Sequence, residues 1–229
     1  AGRMATKTTH AVGVDTGGTG IKGAIVDLEA GALITDRIKV KTPAGAEPKD
    51  VLAAVRTVLE TLGVADDHSI PLGVAFPAIV KGGRTLKAAN VSDKWTGFEA
   101  EKFFEEGLGR GIRFANDADV AGLAEVRYGA AKGQSGLTIL TTLGTGIGTA
   151  MIYDGVLIPN SELGHLERAK HAKDAEAMAA YSAMEREELS WEHWAKRLQW
   201  YYSHLEFLFS PDLFVVGGGV SKNADHFLP

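Results

Sequence analysis

The sequence contains no cysteine. That absence excludes a disulfide framework, a thiolate metal cluster and a cysteine nucleophile. Long apolar runs are missing as well: segments such as 213–216 stop far short of the roughly 18–20 residues that a membrane-crossing helix needs. No membrane partner is therefore expected. The opening AGRMATKTTH lacks the apolar core of a secretory signal, and its first three residues, ahead of Met4, read as a cloning remnant outside the fold. A cytoplasmic location follows. With 24 basic against 29 acidic side chains the formal charge is −5, so the chain has no global basic field and nucleic acid is not an expected partner. A local basic groove for a polyanion stays open. What is present is ordinary for a globular protein: 229 residues, 45% hydrophobic and 23% charged, enough for one large domain or two small ones.

Glycine is the most informative punctuation. Its 28 copies cluster at 17–23, 82–83, 107–111, 144–148 and 217–219, and three of those clusters directly follow strand-like runs. Residues 10–14 and 24–28 flank the first cluster as strands, 33–40 read as a third strand, and Pro48 opens a helix whose apolar residues recur at helical spacing until Gly63. A strand at 72–76, a short helix at 99–107 and a strand at 112–115 complete the first half. The second half repeats a similar order: a helix at 119–129, strands at 137–143 and 149–153, an Asp154-Gly155 turn with a return strand at 156–158, helices at 173–188 and 191–209, and a strand at 213–216. In the helix at 191–209, Trp191, Trp194, Leu198, Tyr201, Leu205 and Leu208 form one apolar stripe, which is core packing or the seam of a dimer. The expected fold class is α/β, with two mixed-sheet domains at 10–115 and 116–229 and a central cleft. The chain ends at Pro229 where a helix after the last glycine cluster should begin, so a further C-terminal helix is expected.

Four segments carry chemistry. Asp15-Thr16-Gly17-Gly18-Thr19-Gly20-Ile21-Lys22 places a carboxylate at a strand end, then glycines whose N–H groups can close on an anion, then a lysine. This is a phosphate-facing turn with an acid able to hold hydrated Mg²⁺. Gly18-Thr19-Gly20-Ile21-Lys22-Gly23 also fits the dinucleotide pattern, but that pattern needs a helix at the glycines and a strand follows here. Asn116-Asp117, between a strand and a helix, offers a carboxylate that can take a proton from a substrate hydroxyl; both residues are equally good helix caps. Leu143-Gly144-Thr145-Gly146-Ile147-Gly148 is a second strand–glycine–strand turn, a phosphate wall or a plain hairpin. Glu162-Leu163-Gly164-His165-Leu166-Glu167 brings two acids and a histidine together, a clamp for vicinal sugar hydroxyls. Metal ligation with His171 is the alternative, disfavoured by Gly164 and by the lack of cysteine.

In this order, residues 15–22, 116–117, 143–148, 162–165 and 215–219 resemble the ROK family of sugar kinases from about residue 11 onward. Segments 116–125 and 142–165 look most similar to the bacterial polyphosphate glucokinases, including those that also accept mannose. The resemblance implies an actin-like, ribonuclease-H-like fold, usually as a homodimer, and transfer of a phosphoryl group from inorganic polyphosphate or ATP to the 6-hydroxyl of glucose or mannose, with Mg²⁺. It implies Asp117 as the base, and Asn90, Asn116, Glu162, His165 and Glu167 as sugar contacts. It further implies Asp15, Thr16, Gly17, Gly18, Thr19 and Lys22 at the first phosphate turn, Thr142, Gly144, Thr145 and Gly146 at the second, and Gly217, Gly218 and Gly219 at the adenosine. The cysteine cluster that holds structural zinc in many ROK proteins is absent, so zinc is not expected.

Donor choice stays open at this level. Lys81, Arg84, Lys87 and Lys94 lie along a stretch read as a loop, a track for polyphosphate or a solvated face. An ATP-only hexose kinase and a non-enzymatic sugar-binding regulator are the competing readings; regulators of the family carry a long N-terminal DNA-binding domain.

Overall fold

The computed structural model describes residues 9–88, 90–168 and 173–229. The chain divides into two compact units, Ala1–Val120 and Ala121–Pro229.

The first unit is built on a six-stranded mixed sheet. β1 (His10–Thr16) pairs antiparallel with β2 (Gly20–Asp27), which also carries β3 (Ala32–Leu33) and β4 (Ile38–Lys41). On its other side β1 runs parallel to β5 (Leu72–Phe76), and β5 runs parallel to β8 (Arg113–Asn116). The single strand expected at 33–40 is thus two. The Ile25 N–H donates to the Thr35 side-chain hydroxyl at 3.1 Å, so a side chain replaces the backbone acceptor and interrupts the ladder. α1 (Pro48–Thr61) begins with proline, whose missing N–H has no partner to lose at a helix start, and ends at Gly63 with φ of 72°. Its residues Val51, Ala54, Val55, Val58 and Leu59 are buried in the core beneath the sheet, each large one contributing about 1.5–3 kcal/mol. α2 (Ala100–Leu108) lies close to α1 because Gly107 has no side chain: a Cβ there would stand 2.4 Å from Leu52.

The stretch holding Lys81, Arg84 and Lys87 is a β-hairpin rather than a loop. β6 (Ala78–Lys81) and β7 (Arg84–Ala88) are joined by Gly82 and Gly83, both at positive φ as a two-residue primed turn requires. Arg84 pairs with Glu99, and Lys94 pairs with Glu47 at 2.8 Å.

The second unit holds a four-stranded sheet in the order β11-β10-β9-β12, formed by β9 (Leu137–Leu143), β10 (Ile147–Tyr153), β11 (Val156–Ile158) and β12 (Leu213–Gly217). β12 is parallel to β9 and the other pairings are antiparallel. Asp154 and Gly155, at φ of 48° and 80°, make the expected tight turn. α3 (Asp117–Tyr128) contains the division between the units, five residues beyond the boundary expected at 115/116. Gly122 of α3 stands against Ala150 and Ile152 of β10.

The helix expected over 173–188 is broken into α4 (Ala175–Ala179) and α5 (Tyr181–Arg186) at Ala180, whose ψ of 156° is extended. The carbonyls of Ala177, Met178 and Ala179 accept from Arg186, Arg197 and Trp194 side chains, which removes the need for helical continuation. α6 (Trp191–Phe209) turns Trp194, Leu198, Tyr201 and Leu205 into the core, while Leu208 is half exposed and Phe207 is 83% exposed. Among the described residues no helix is long and apolar enough to cross a membrane.

Candidate active site

In the first unit, the parallel strands β1, β5 and β8 put their carboxyl ends on one edge. Asp15 is level with Ala75 and Ala75 with Ala115, so Asp15 and the residues that follow β8 share the edge where open α/β sheets bind ligands. Asp15 lies opposite Lys22 in the β1–β2 ladder. Partial burial raises its pKa above the ordinary 3.8 although the residue reaches solvent, and Lys22 and Arg37 oppose that rise.

The turn between β1 and β2 is internally braced. Gly17 N–H donates to Gly20 O at 3.0 Å, and the Thr42 hydroxyl and N–H donate to Gly17 O and Thr19 O at 2.6 and 3.3 Å. Thr16 is buried and its hydroxyl donates to Ala75 O at 2.7 Å, so it ties the turn to β5 instead of facing a ligand. Gly18 and Thr19 stand exposed at the tip. Asn90, held at φ of 59°, packs on Gly18: a Cβ on Gly18 would come within 3.0 Å of it. Gly18 and Asn90 line a cavity of about 340 Å³ with Thr42, Ala46 and Ser92. Trp95 is fully buried, with Nε1 donating to Ala46 O at 2.8 Å, and supports that cavity from the core.

Asn116 ends β8, and its amide is used structurally. Oδ1 accepts from Asp119 N–H at 3.1 Å as an N-terminal cap of α3, and Nδ2 donates to Ala78 O at 3.0 Å. The capping role is therefore the one the structure gives Asn116. Asp117 follows as the first residue of α3, half-buried, with Oδ1 accepting from Ala118 N–H at 2.8 Å.

The second unit assembles the other motifs on the β9–β10 hairpin. Gly144 N–H donates to Gly146 O at 3.0 Å, closing the second glycine turn. Ser182 clamps it from α5, through N–H to Gly144 O at 3.0 Å and hydroxyl to Thr145 O at 2.7 Å. The Glu176 carboxylate accepts from Ile147 N–H at 3.1 Å and lies 2.6 Å from where a Gly146 Cβ would be. Thr142 is level with Gly217 of β12. Gly218, at φ of 90°, presses onto Leu143, so the third glycine cluster is built against the second.

Glu162 precedes and His165 ends a short 3₁₀ turn (Leu163–His165) that Thr149 anchors, its buried hydroxyl donating to Ser161 O at 3.0 Å and accepting from Leu163 N–H at 3.2 Å. Gly164 permits that turn to touch β10, since a Cβ would stand 2.3 Å from Ile147 O. His165 sits between two carboxylates: Nδ1 is 2.8 Å from Asp174 Oδ2, and Nε2 is 3.6 Å from Glu162 Oε2. The second acid at the imidazole is thus Asp174, whereas Glu167 meets Asp174 through a backbone bridge. His171 lies outside the described residues. Among those described, no group of three or more His, Cys, Asp and Glu is arranged to hold a metal ion.

Sequence reasoning did not identify Thr42, Ser182, Glu176 or Asp174. For Asp174 a signal exists, because an aspartate just before a helical pattern is a natural cap, and it does cap α4 through Ala177 N–H at 2.9 Å.

The model of the ROK family matches residues 11–177. The chain is 46% identical over 226 residues to the polyphosphate glucokinase of Mycobacterium tuberculosis, covering 98% of this chain and 83% of that one. The crystal structure of an inorganic polyphosphate/ATP-glucomannokinase from Arthrobacter sp. strain KM superimposes with a TM-score of 0.91 at 49% identity, covering 96% of this chain and 88% of that one. A ROK family glucokinase from Streptomyces griseus in complex with glucose and AMPPNP shares the fold at a TM-score of 0.79 and 23% identity, over 96% and 86% of the two chains. The two mixed-sheet α/β units are those of the actin-like fold of the ROK sugar kinases.

Proposed function

For this chain, which belongs to the ROK family, we propose the transfer of a phosphoryl group from inorganic polyphosphate or ATP to the 6-hydroxyl of glucose, and of mannose, giving the hexose 6-phosphate. The observation that carries this reading is the placement of Asp117 one residue beyond β8, on the same sheet edge as Asp15 and the first glycine turn. A base for the acceptor hydroxyl and a cradle for the phosphates then share one ligand-binding edge.

Phosphoryl transfer asks little covalent chemistry of a protein; alignment of the nucleophile and neutralisation of charge supply most of the acceleration. Asp117 accepts the proton of the 6-hydroxyl as the hydroxyl oxygen bonds to phosphorus and the bond from that phosphorus to the donor's bridging oxygen breaks, releasing shortened polyphosphate or ADP; the base contributes about 10²–10⁴ in rate. The exposed tip at Gly18 and Thr19 and the turn at residues 144–146 present N–H groups and hydroxyls to phosphate oxygens. Glu162 and His165 hold the other sugar hydroxyls, the imidazole oriented by Asp174. Asn90 orders the first turn through its contact with Gly18 and reaches the sugar from there. Asn116 fixes the start of α3, and so the position of Asp117.

Mg²⁺ suits the one ligand the first turn offers. It is commonly bound through one or two carboxylates, water and substrate phosphates, not by an all-protein cage, and Asp15 is a single carboxylate that reaches solvent. When bound, the cation shields the phosphate charge. The turn at residues 217–219, kept intact against Leu143, supports ATP as a second donor. A homodimer is the proposed assembly, with Phe207 and Leu208 of α6 as exposed apolar residues available to it.

The test is product formation from each donor separately. Wild-type protein with Mg²⁺ should convert glucose and mannose to 6-phosphates with either polyphosphate or ATP, and should give no product with 6-deoxyglucose. Equal product from 6-deoxyglucose would refute transfer to the 6-hydroxyl, and product from ATP alone would remove polyphosphate from the reading.

A further inference from the structure

Beyond α4, on the face of the second unit that carries α6, lies a cavity of about 500 Å³ whose lining is dominated by cations. Arg168, Lys173, Lys196 and Arg197 all border it, with Glu187 as the one carboxylate among the described residues of its wall. Counting also Glu192, which pairs with Lys196 at 2.8 Å, four positive charges face two negative ones among the described residues, a local excess of +2 in a chain whose net charge is −5. The cations are held in place. Arg197 donates to Met178 O at 2.9 Å and to Glu187 at 2.6 Å, and the Arg168 guanidinium lies 5.1 Å over the Trp200 ring. Lys173 and Arg186 approach the same Glu187 carboxylate at 3.9 and 3.5 Å, so three cations already converge on one anion. Arg197 and its neighbours hold that carboxyl below the usual range.

The cavity also has a definite relation to the second glycine turn. Glu176, near the start of α4, touches Ile147 and Gly146, while the Met178 carbonyl near the end of α4 is the one Arg197 binds. α4 has five residues, so at about 1.5 Å per residue one short helix separates the turn from the cationic wall. We infer that this cavity is a second anchoring site for the donor, holding the phosphate units of a polyphosphate chain that extend beyond the one being transferred. The inference rests on the proposed function and deepens it, by locating a contact made by polyphosphate and not by ATP.

Other polyanions fit less well. A nucleic-acid strand uses exposed aromatic faces as stacking platforms, and here Arg168 already covers Trp200. Linear polyphosphate has no bases to stack and needs only closely spaced cations in a concave wall. The basic residues of the first unit are a poorer match, because Arg84 and Lys94 are paired one to one with Glu99 and Glu47, whereas Arg168, Lys173, Lys196 and Arg197 share Glu187 and Glu192.

The experiment uses the whole chain with Arg168→Gln and Lys196→Gln combined, since among the described residues neither side chain supports a backbone carbonyl as Arg197 does. KM for long-chain polyphosphate should rise by about tenfold or more, as expected on losing two charge-assisted contacts, while kcat/KM for ATP and KM for glucose stay within about twofold of wild type. The dependence of polyphosphate KM on salt should also become shallower, because fewer counterions are displaced on binding. Lys196→Arg should restore part of the lost affinity. Equilibrium dialysis of wild type and variant with long-chain polyphosphate, without sugar, reads the site independently of turnover. Unchanged polyphosphate KM and binding in the double variant would overturn the inference and leave the proposed function standing. An equal loss with ATP would also overturn it. Polyphosphate binding that the variant loses, in a protein that makes no hexose phosphate, would keep the site and refute the kinase reading.

Discussion

Gly218→Ala should destabilise the second unit far more than Gly219→Ala, its immediate neighbour. Gly218 has φ of 90° and ψ of 168°, a region that side-chain-bearing residues enter at a cost of about 1–3 kcal/mol. A Cβ there would also stand 2.4 Å from Leu143 O and 2.8 Å from Leu143 N, atoms of a central strand that cannot rotate away. Gly219 has nothing within 4 Å of its would-be Cβ and no positive φ. Backbone strain alone should lower the melting temperature of Gly218→Ala by roughly 2–12 °C, at about 2–4 °C per kcal/mol for a chain of this size, and the contact with Leu143 adds to it. Gly219→Ala should stay within about 2 °C of wild type. Thermal denaturation with a urea titration as a check on two-state behaviour measures both. Because residue 143 leads directly into the second glycine turn, Gly218→Ala should also weaken turnover with ATP. Equal melting temperatures for the two variants would refute the reasoning that Gly218 is fixed by conformation and close approach.

Three further predictions concern single groups. Asp174 both caps α4 and meets His165, so Asp174→Asn, which still caps, should raise the sugar KM with little change in melting temperature, while Asp174→Ala should in addition lose about 1 kcal/mol of stability; equal sugar KM in Asn variant and wild type would remove Asp174 as the orienter of the imidazole. Asp15 has a pKa raised above 3.8, chiefly by burial, so the folded state favours its protonated form and that contribution is lost as pH rises through the folded pKa. Asp15→Asn should accordingly be at least as stable as wild type near neutral pH, with the difference vanishing below pH 3.8, and inactive throughout; a variant less stable at pH 7 than at pH 3.5, relative to wild type, contradicts this. The Tyr201 hydroxyl is buried without a hydrogen-bond partner among the described residues, and burial pushes its pKa up, so Tyr201→Phe should be neutral or stabilising by about 1 kcal/mol in a denaturant titration, a clear loss being the contrary result.

How much the sequence disclosed depends on the range of the interaction. α1 and α6 were legible because proline, glycine and an apolar spacing act within one helix, and the Asp154-Gly155 hairpin because its turn dictates its register. The β6–β7 hairpin was not, although Gly82-Gly83 is a turn signal, since most of its strand residues are exposed or half-buried and give no continuous apolar alternation. The break at Ala180 was hidden for a different reason: the groups that cap the carbonyls of α4 come from Arg186, Trp194 and Arg197, up to 19 residues away. In the candidate site, the glycine turns and the Asn116-Asp117 pair stood out as residue types. Their division of labour did not, because only tertiary contacts show that Thr16 and Asn116 spend their side chains on Ala75, Ala78 and Asp119. His165 was identified, but its partner Asp174 is nine residues on, beyond a short-motif reading.

The central claim is that Asp117 serves as the base in phosphoryl transfer to a hexose. It is tested most directly by comparing wild type and Asp117→Asn for glucose 6-phosphate formed from nucleotide-free polyphosphate with Mg²⁺, alongside glucose binding by calorimetry. The account predicts product from the wild type, a fall in turnover of about 10²–10⁴ in the variant, and glucose affinity within a few-fold of wild type. Near-normal turnover in Asp117→Asn would contradict it.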